Sequence, residues 1–155
     1  MSKFAANTDV SSDRSRAEIE KTLTRYGASG FIYGWQGQTS MIGFSFNRRT
    51  IQFFLPLPDK NDPDFTQTPT GRARKNTLAQ KQAWEQACRQ RWRALALVIK
   101  AKLEAVESGI TTFESEFLAH IVMPGGESIG QFIIPRLDEV YKTRKVAGLL
   151  PAPYK

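Results

Sequence analysis

The chain holds one cysteine and one histidine, and it has no long apolar run. A lone cysteine, Cys88, excludes an intramolecular disulfide framework and a zinc site built on several cysteines. The lone histidine, His120, likewise excludes a metal site that needs several histidines. No stretch approaches the roughly 18 apolar residues of a membrane span, and the polar N-terminus lacks the apolar core of a signal peptide. We therefore expect a soluble protein of a reducing compartment.

What the sequence does contain is enough apolar material for one globular core. Of 155 residues, 41% are hydrophobic and 11% are aromatic, which is typical of a single domain of this length. The sequence predicts one α+β domain over residues 13–148, preceded by a flexible N-terminus, residues 1–12. A C-terminal tail is expected over residues 149–155.

Residue periodicity predicts the order of the elements within that domain. A helix capped by Ser12 or Asp13 should run to about Tyr26, where Gly27 can end it. Three runs with period two then predict an antiparallel meander of strands at 31–35, 41–46 and 50–55. A long helix over residues 77–108 and two shorter helices complete the α+β fold. The shorter helices are residues 111–122 and a segment that begins at Ser128 and is interrupted or kinked at Pro135.

The long helix carries an apolar seam that should lie against the sheet. Its members repeat at spacings of three and four and fall within an arc of about 100° at 100° per residue. They are Trp84, Cys88, Trp92, Leu95, Ile99, Leu103 and Val106. Two capping boxes, Thr77 with Gln80 and Thr111 with Glu114, are expected to begin this helix and the next.

Residues 59–76 form the longest predicted connection. The segment has two prolines, a glycine and few apolar side chains, which favours a loop. Long loops without secondary structure are uncommon in compact domains and tend to be functional or mobile. We expect a long mobile loop that orders when a ligand binds.

The charge of the protein is concentrated in one segment. The chain carries a net charge of +7. Residues 71–102 contain nine basic residues and one acid, a net charge of +8, while the rest of the chain has 13 basic and 14 acidic residues and a net charge of −1. A surface of this kind favours anionic partners, and a helix face rich in arginine and lysine can follow a phosphate backbone.

The predicted nucleic-acid contacts on this segment are named here the basic strip. On the helix, Arg89, Arg93 and Lys100 fall within about 40° of one another. The loop extends this line toward the N-terminus of the helix. The basic strip consists of Arg72, Arg74, Lys75, Lys81, Arg89, Arg93 and Lys100.

Aromatic residues of the sheet offer a second element. If Tyr33, Trp35 and Phe54 share the face turned away from the helix, they form a stacking platform for unpaired bases. The register of the first strand decides this, because Tyr33 and Trp35 alternate with Ile32 and Gly34. The competing interpretation is that these aromatics are covered by the last helices or by an oligomer interface.

Residues capable of catalysis are few. Cys88 belongs to the apolar seam and His120 lies in an apolar stretch, so both are expected to be structural. Asp59, Asp62 and Asp64 cluster in the loop but lack the spacing of a recognised cation site. We therefore predict no catalytic residue, no metal and no cofactor, and keep a metal-dependent nuclease using these aspartates as the second alternative.

The segment from Arg89 to Gly126, beginning RQRWRALALVIKAKLEAVESG, resembles a family of small, uncharacterised phage and prophage proteins. The likeness extends to Arg25–Ala28 and Leu55–Asp59 and so covers most of the chain. It implies a viral or mobile-element origin and a bacterial host cell. It carries no activity and no site residues.

The function expected from these observations is non-enzymatic binding of single-stranded DNA or RNA with little sequence preference. The first alternative is a protein–protein interaction module, a phage factor that binds or inhibits a host protein through an exposed sheet face. A homo-oligomer is also expected, because the sheet aromatics would otherwise expose a large apolar area. The expected location is the cytoplasm of a bacterial host, without membrane contact.

Overall fold

The computed structural model describes residues 4–146, and their architecture is α+β. A three-stranded sheet is flanked by a short helix and a long helix, and shorter helices follow toward the C-terminus. The elements are α1 (Ser12–Arg25), β1 (Gly30–Gln36), β2 (Thr39–Phe46), β3 (Arg49–Pro56), α2 (Pro63–Thr66), α3 (Thr77–Glu107), α4 (Phe113–Phe117), a 3-10 turn (Leu118–His120) and α5 (Ile129–Thr143). The predicted tail at 149–155 lies outside the described residues.

The sheet is the predicted antiparallel meander, in the order β1-β2-β3. Two-residue turns join the strands, and Asn47 and Arg48 in the second turn have φ angles of 47° and 63°. Such turns match the twist of a hairpin when both central residues adopt positive φ, which asparagine tolerates better than most residues. The register pairs Tyr33 with Ile42 and Ile42 with Phe53, so these three residues share one face.

The free edge of β3 is partly covered by the chain that follows the 3-10 turn. The amide of Val122 donates to the carbonyl of Thr50 over 2.8 Å, and Ile121 bridges Ile51. The predicted helix over 111–122 is therefore too long: α4 covers Phe113–Phe117, a 3-10 turn covers Leu118–His120, and residues 121–122 are extended. After α4 and the 3-10 turn, the chain extends to satisfy the edge of the sheet.

Helices α1 and α3 cover the same face of the sheet. The buried core joins Ile42, Phe44 and Ile51 of the strands to apolar side chains of both helices. The predicted seam of α3 is confirmed at five positions, Cys88, Trp92, Leu95, Ile99 and Leu103, which are buried. Trp84 and Val106, at the ends of the seam, are only partly buried.

Helix α1 adds to this layer by burying Ile19 and Leu23. It lies along the flank of α3 that carries Arg93, which the sequence predicts to be free for phosphate contacts. Glu18 of α1 pairs with Arg93 and Tyr26 donates to Glu104, which shows that the two helices run in the same direction.

Phenylalanines of α4 close one end of the core. Phe117 meets Phe44 and Phe53 edge-on, with ring centroids 6.0 and 6.2 Å apart. Phe113 stacks on Phe46 at 4.3 Å. Edge-to-face and offset contacts of this kind add to the stabilisation from buried area.

Three of the predicted helix caps lie at a neighbouring residue. Ser11, rather than Ser12 or Asp13, accepts the amide of Arg14 and begins α1. Asn76, rather than Thr77, accepts the amides of Leu78 and Ala79 and begins α3. Thr112, rather than Thr111, accepts the amide of Ser115 and begins α4. A side-chain oxygen one residue earlier or later can meet the same open amides, so the spacing alone does not choose between them. Ser128 begins α5, as predicted.

The segment 59–76 has secondary structure of its own, contrary to the expectation of an irregular loop. It contains α2, capped by Asp62, and a tight turn in which Gln67 bridges Ala73. The indole of Trp84 donates to the carbonyl of Pro58 over 2.7 Å and fixes the beginning of the segment. Side chains of Asp and Thr therefore form local hydrogen bonds with the backbone of this segment, which has no long helix or strand to pair its amides.

Helix α5 continues through Pro135, so the interruption expected there is wrong. Within the described residues, no helix is both long and apolar enough to cross a bilayer.

Candidate functional site

Three members of the positive segment 71–102 are neutralised within the protein. Arg93 pairs with Glu18, and the ammonium of Lys102 lies 2.9 Å from the carboxylate of Glu116. Lys81 lies 3.8 Å from Glu85. An ion-paired side chain contributes less to the field outside the protein, so Arg93 and Lys81 are weaker phosphate contacts than the sequence predicts.

The other six basic residues of this segment have no acidic partner within the described chain. Arg72, Lys75 and Lys100 are exposed. Arg74 donates from Nε to the carbonyl of Gln67 over 2.8 Å, and Arg91 donates to the carbonyl of Pro56. A guanidinium bound to a carbonyl keeps its full charge, so the unneutralised positive charge runs from the turn at Arg72 along α3.

A cleft opens between the start of α1, β1 and the first half of α3. We call it the α1–α3 cleft; its volume is about 310 Å³. Two arginines and three aromatic rings are among the residues that line it: Arg16, Arg89, Tyr33, Trp84 and Trp92. Arginine together with aromatic rings is the side-chain set that binds an anion carrying a flat ring.

Arg89 is the member of the cleft that lacks an internal acceptor. Its Nε is buried and has no hydrogen-bond partner among residues 4–146. A buried donor left unpaired costs about 1–3 kcal/mol, and a charged donor costs more. The cleft therefore favours a ligand that brings a hydrogen-bond acceptor and negative charge to this arginine.

Arg16 is the second arginine of the cleft. Its guanidinium carbon lies 4.4 Å from the centre of the Tyr33 ring and 5.5 Å from that of Trp92. Asp13, one turn earlier, pairs with it. Tyr33 and Trp92 meet edge-on at 5.8 Å, so the cleft has an ordered stack of one cation and two rings.

The three aromatics expected to form one platform do not share a face. Tyr33 and Trp35 fall in register with Ile42 and Ser40 on the helix-covered side, while Phe54 pairs with Met41 on the other side. The expected common platform is therefore wrong. Tyr33 belongs to the α1–α3 cleft.

Trp35 and Phe54 contribute instead to a depression of about 570 Å³ at the end of the sheet. Trp35 is 74% exposed and Phe54 is 46% exposed. The last described helix does not cover them, because α5 packs on the 3-10 turn.

The loop aspartates are used locally. Asp59 accepts the amide of Asn61, which lowers the pKa of its carboxyl, and Asp62 accepts the amide of Asp64 to cap α2. Within residues 4–146 no three histidine, cysteine, aspartate or glutamate side chains converge as metal ligands would.

Cys88 and His120 both sit in apolar surroundings. Burial raises the pKa of the Cys88 thiol to about 11. His120 stacks on Phe53, and desolvation lowers its pKa. A thiol that stays protonated is a poor nucleophile at neutral pH.

Sequence reasoning missed Arg16 and Trp84 as members of the site. Trp84 has the spacing of a core residue, and Arg16 lies on a helix whose basic and acidic residues nearly balance. Their role depends on the packing of α1 against α3, which no local pattern encodes.

No protein-family model, no curated protein and no solved structure matches the chain.

Proposed function

We propose that this protein is a non-enzymatic binder of single-stranded nucleic acid with little sequence preference. The phosphates of the strand would contact the unpaired basic side chains from Arg72 to Lys100. One nucleotide would enter the α1–α3 cleft. One observation carries the proposal: the Nε of Arg89 is buried and has no hydrogen-bond partner in the described chain. Arg89 lies beside aromatic rings at the middle of the basic strip. The proposed location is the cytoplasm of a bacterial host, which rests on the resemblance to phage proteins alone.

A single strand fits the cleft better than a duplex does. Bases of a duplex are stacked and paired, whereas an unpaired base can enter a pocket and stack on rings or on a guanidinium plane. Each base stacked on an aromatic side chain contributes about 1–3 kcal/mol without reading sequence. The basic strip lies along one helix and one turn, an arrangement that favours contacts with the phosphates of the strand. Such contacts position a strand without reading its sequence.

The test is a fluorescence-anisotropy titration of a labelled oligothymidine with the full chain at two salt concentrations. The variant Arg89→Gln should weaken binding about fivefold to tenfold and make the affinity less sensitive to salt, by roughly 0.7 in the slope of log K against log salt per lost phosphate contact. Blunt duplex of the same length should bind more weakly than the single strand at equal salt.

The matched control is Lys102→Gln, which removes the same charge from the same helix. Lys102 is already paired with Glu116, so its loss should weaken binding less than twofold. Absence of binding at low salt would overturn the proposal. So would equal effects of the two variants, because the excess charge alone would then explain the affinity.

A second candidate function, docking of a protein, is favoured by one observation on the sheet. The face turned away from α1 and α3 carries no charged residue, and Ile32 and Phe54 on it are 64% and 46% exposed. Uncharged, partly apolar faces of this kind mark protein contacts. A protein partner that the wild type retains at about 0.5 M salt and the Phe54→Asp variant loses would support docking. Retention of the partner by both the wild type and the variant would contradict docking on this face.

A further inference from the structure

Residues 4–10, named here the N-terminal strap, lie along the surface of α3. Two glutamines of the helix, Gln86 and Gln90, hold the strap by donating side-chain hydrogen bonds of 2.9–3.1 Å to its backbone carbonyls. The carbonyls that accept these bonds belong to Phe4, Ala6 and Thr8. The strap therefore covers about one helical turn of α3.

The strap crosses α3 at the level of the basic strip. At 100° per residue, Gln86 lies about 20° from Arg93 and about 60° from Arg89 on the helix surface. Along the helix, the contacts at Gln86 and Gln90 fall between Lys81 and Arg93. The strap therefore lies in the path that the phosphates of a bound strand would follow.

The strap also reaches the α1–α3 cleft. Thr8 is held at Gln86, and Ser11, three residues later, lines the cleft together with Arg89. Three residues span at most about 11 Å, so the end of the strap lies beside the cleft. With the strap in place, the Nε of Arg89 still lacks an acceptor within the described chain. The strap therefore covers this part of the basic strip without supplying the acceptor that Arg89 lacks.

The strap is held weakly. None of its side chains is buried, and Phe4 is 55% exposed. Asp9, its one charged residue, forms no ion pair within residues 4–146. Ala5 has a φ of 56°, a left-handed conformation that is unfavourable for alanine. A ligand that makes charge-assisted hydrogen bonds with the arginines can therefore displace the strap.

We propose that the N-terminal strap is a displaceable cover of the basic strip, and that it competes with a single strand of nucleic acid for the same face of α3. This competition rests on the proposed function and adds a regulation of that site. While the strap is in place, the negative charge of Asp9 opposes the approach of phosphates. A strap closed for about 80–90% of the time lowers the apparent affinity about fivefold to tenfold, because only the open fraction binds.

The test is the anisotropy titration of labelled oligothymidine with the wild type and with a variant that lacks residues 2–10. The deletion removes one lysine and one aspartate, so the net charge stays at +7, and it keeps Ser11, the N-cap of α1. The shortened protein should bind about fivefold to tenfold more tightly at equal salt. Binding by the wild type that the deletion leaves unchanged or weakens would overturn the cover alone. Absence of binding by both proteins would overturn the proposed function as well.

The double variant Gln86→Ala/Gln90→Ala releases the strap in a chain of full length. It removes the three hydrogen bonds without a change of charge, and alanine favours the helix. The double variant should also bind more tightly than the wild type. The matched control is Gln82→Ala, because Gln82 is exposed on the same helix and has no hydrogen bond with the strap residues 4–10. A double variant that binds no more tightly than Gln82→Ala would overturn the proposal.

Amide hydrogen exchange distinguishes a cover from a clamp. In the docked strap, the amide of Thr8 donates to the carbonyl of Ala5 over 3.0 Å, and the amide of Val10 donates to the hydroxyl of Thr8 over 3.2 Å. If oligothymidine displaces the strap, exchange over residues 4–10 should be faster in the complex than in the free wild type. Slower exchange would mean that the strap closes over the bound strand. Slower or unchanged exchange would therefore overturn the competition.

Discussion

The imidazole of His120 stacks on the ring of Phe53, with the ring centroids 3.9 Å apart and the planes inclined by 23°. The stack places the only histidine of the chain against the edge of the phenylalanine cluster. Burial lowers the pKa of His120, and the positive charge of Lys102 lowers it further, while a hydrogen bond with the backbone of Gln52 acts in the opposite direction. The folded protein therefore resists protonation of this ring.

Because the folded pKa of His120 is lower than the unfolded value near 6.5, protonation favours the unfolded chain. The stabilising contribution of the neutral ring is present above about pH 6.5 and is lost as the pH falls through the folded pKa. Urea unfolding should thus show a lower free energy of unfolding at pH 5.5 than at pH 7.5. His120→Phe, which keeps a flat ring without a titrating group, should lose less stability over this interval. An equal loss in both proteins would mean that other groups cause the pH dependence.

The sheet was predictable from sequence because its information is local. Alternating apolar residues and the short polar turn at Asn47 and Arg48 lie next to one another in the chain. The neutralisation of Arg93 was not predictable, since Glu18 lies 75 residues away and belongs to a helix whose packing direction no periodicity encodes. The same reason hides the contact of Arg16 with Tyr33. Charge excess located the candidate site, while tertiary packing decides which of its charges remain available.

Gly130→Ala should weaken the attachment of α5. A Cβ at this position would lie 2.7 Å from the carbonyl oxygen of Ala119, well inside van der Waals contact. Although alanine favours a helix by about 1 kcal/mol over glycine, overpacking against backbone costs about 1–3 kcal/mol. We expect a net loss of stability in urea unfolding and faster amide exchange over residues 129–143.

Gly125→Ala is the control for this change. No atom lies within 4 Å of the Cβ position there, and its φ is not positive. It should change the free energy of unfolding by less than about 0.5 kcal/mol. A Gly130→Ala protein as stable as Gly125→Ala would show that the start of α5 can move away from Ala119 without cost.

Phe117→Ala should be among the most destabilising core substitutions. The ring is fully buried and contacts Phe44, Phe53 and Phe113. Removing it leaves a cavity where three rings meet, and such changes cost about 3–5 kcal/mol. The adjacent Leu118 is 50% exposed, so Leu118→Ala should cost less than about 1 kcal/mol. Urea unfolding of both variants checks the difference, and similar values for the two would contradict the placement of Phe117 in the core.

The Cys88 thiol should react slowly in the native protein. Burial raises its pKa to about 11 from 9.0, so at pH 8 about 0.1% is thiolate, compared with about 9% for an ordinary thiol of pKa 9.0. Alkylation by iodoacetamide should be on the order of a hundredfold slower than in the urea-unfolded chain. Since the folded pKa is raised, the contribution of the protonated thiol to stability is complete below about pH 9 and is lost as the pH rises toward 11.

The same thiol reports on the proposed nucleotide site, because Cys88 lines the α1–α3 cleft with Arg89 and Trp92. A saturating single-stranded oligonucleotide should slow alkylation of the native protein at least threefold, since a base in the cleft blocks the approach to the sulfur. In Arg89→Gln, at an oligonucleotide concentration that just saturates the wild type, this protection should be smaller, because the weaker variant is only about half bound. If an oligonucleotide binds tightly and leaves the alkylation rate unchanged, the nucleic acid lies outside the cleft, on the exposed basic side chains of α3 and of the turn at Arg72.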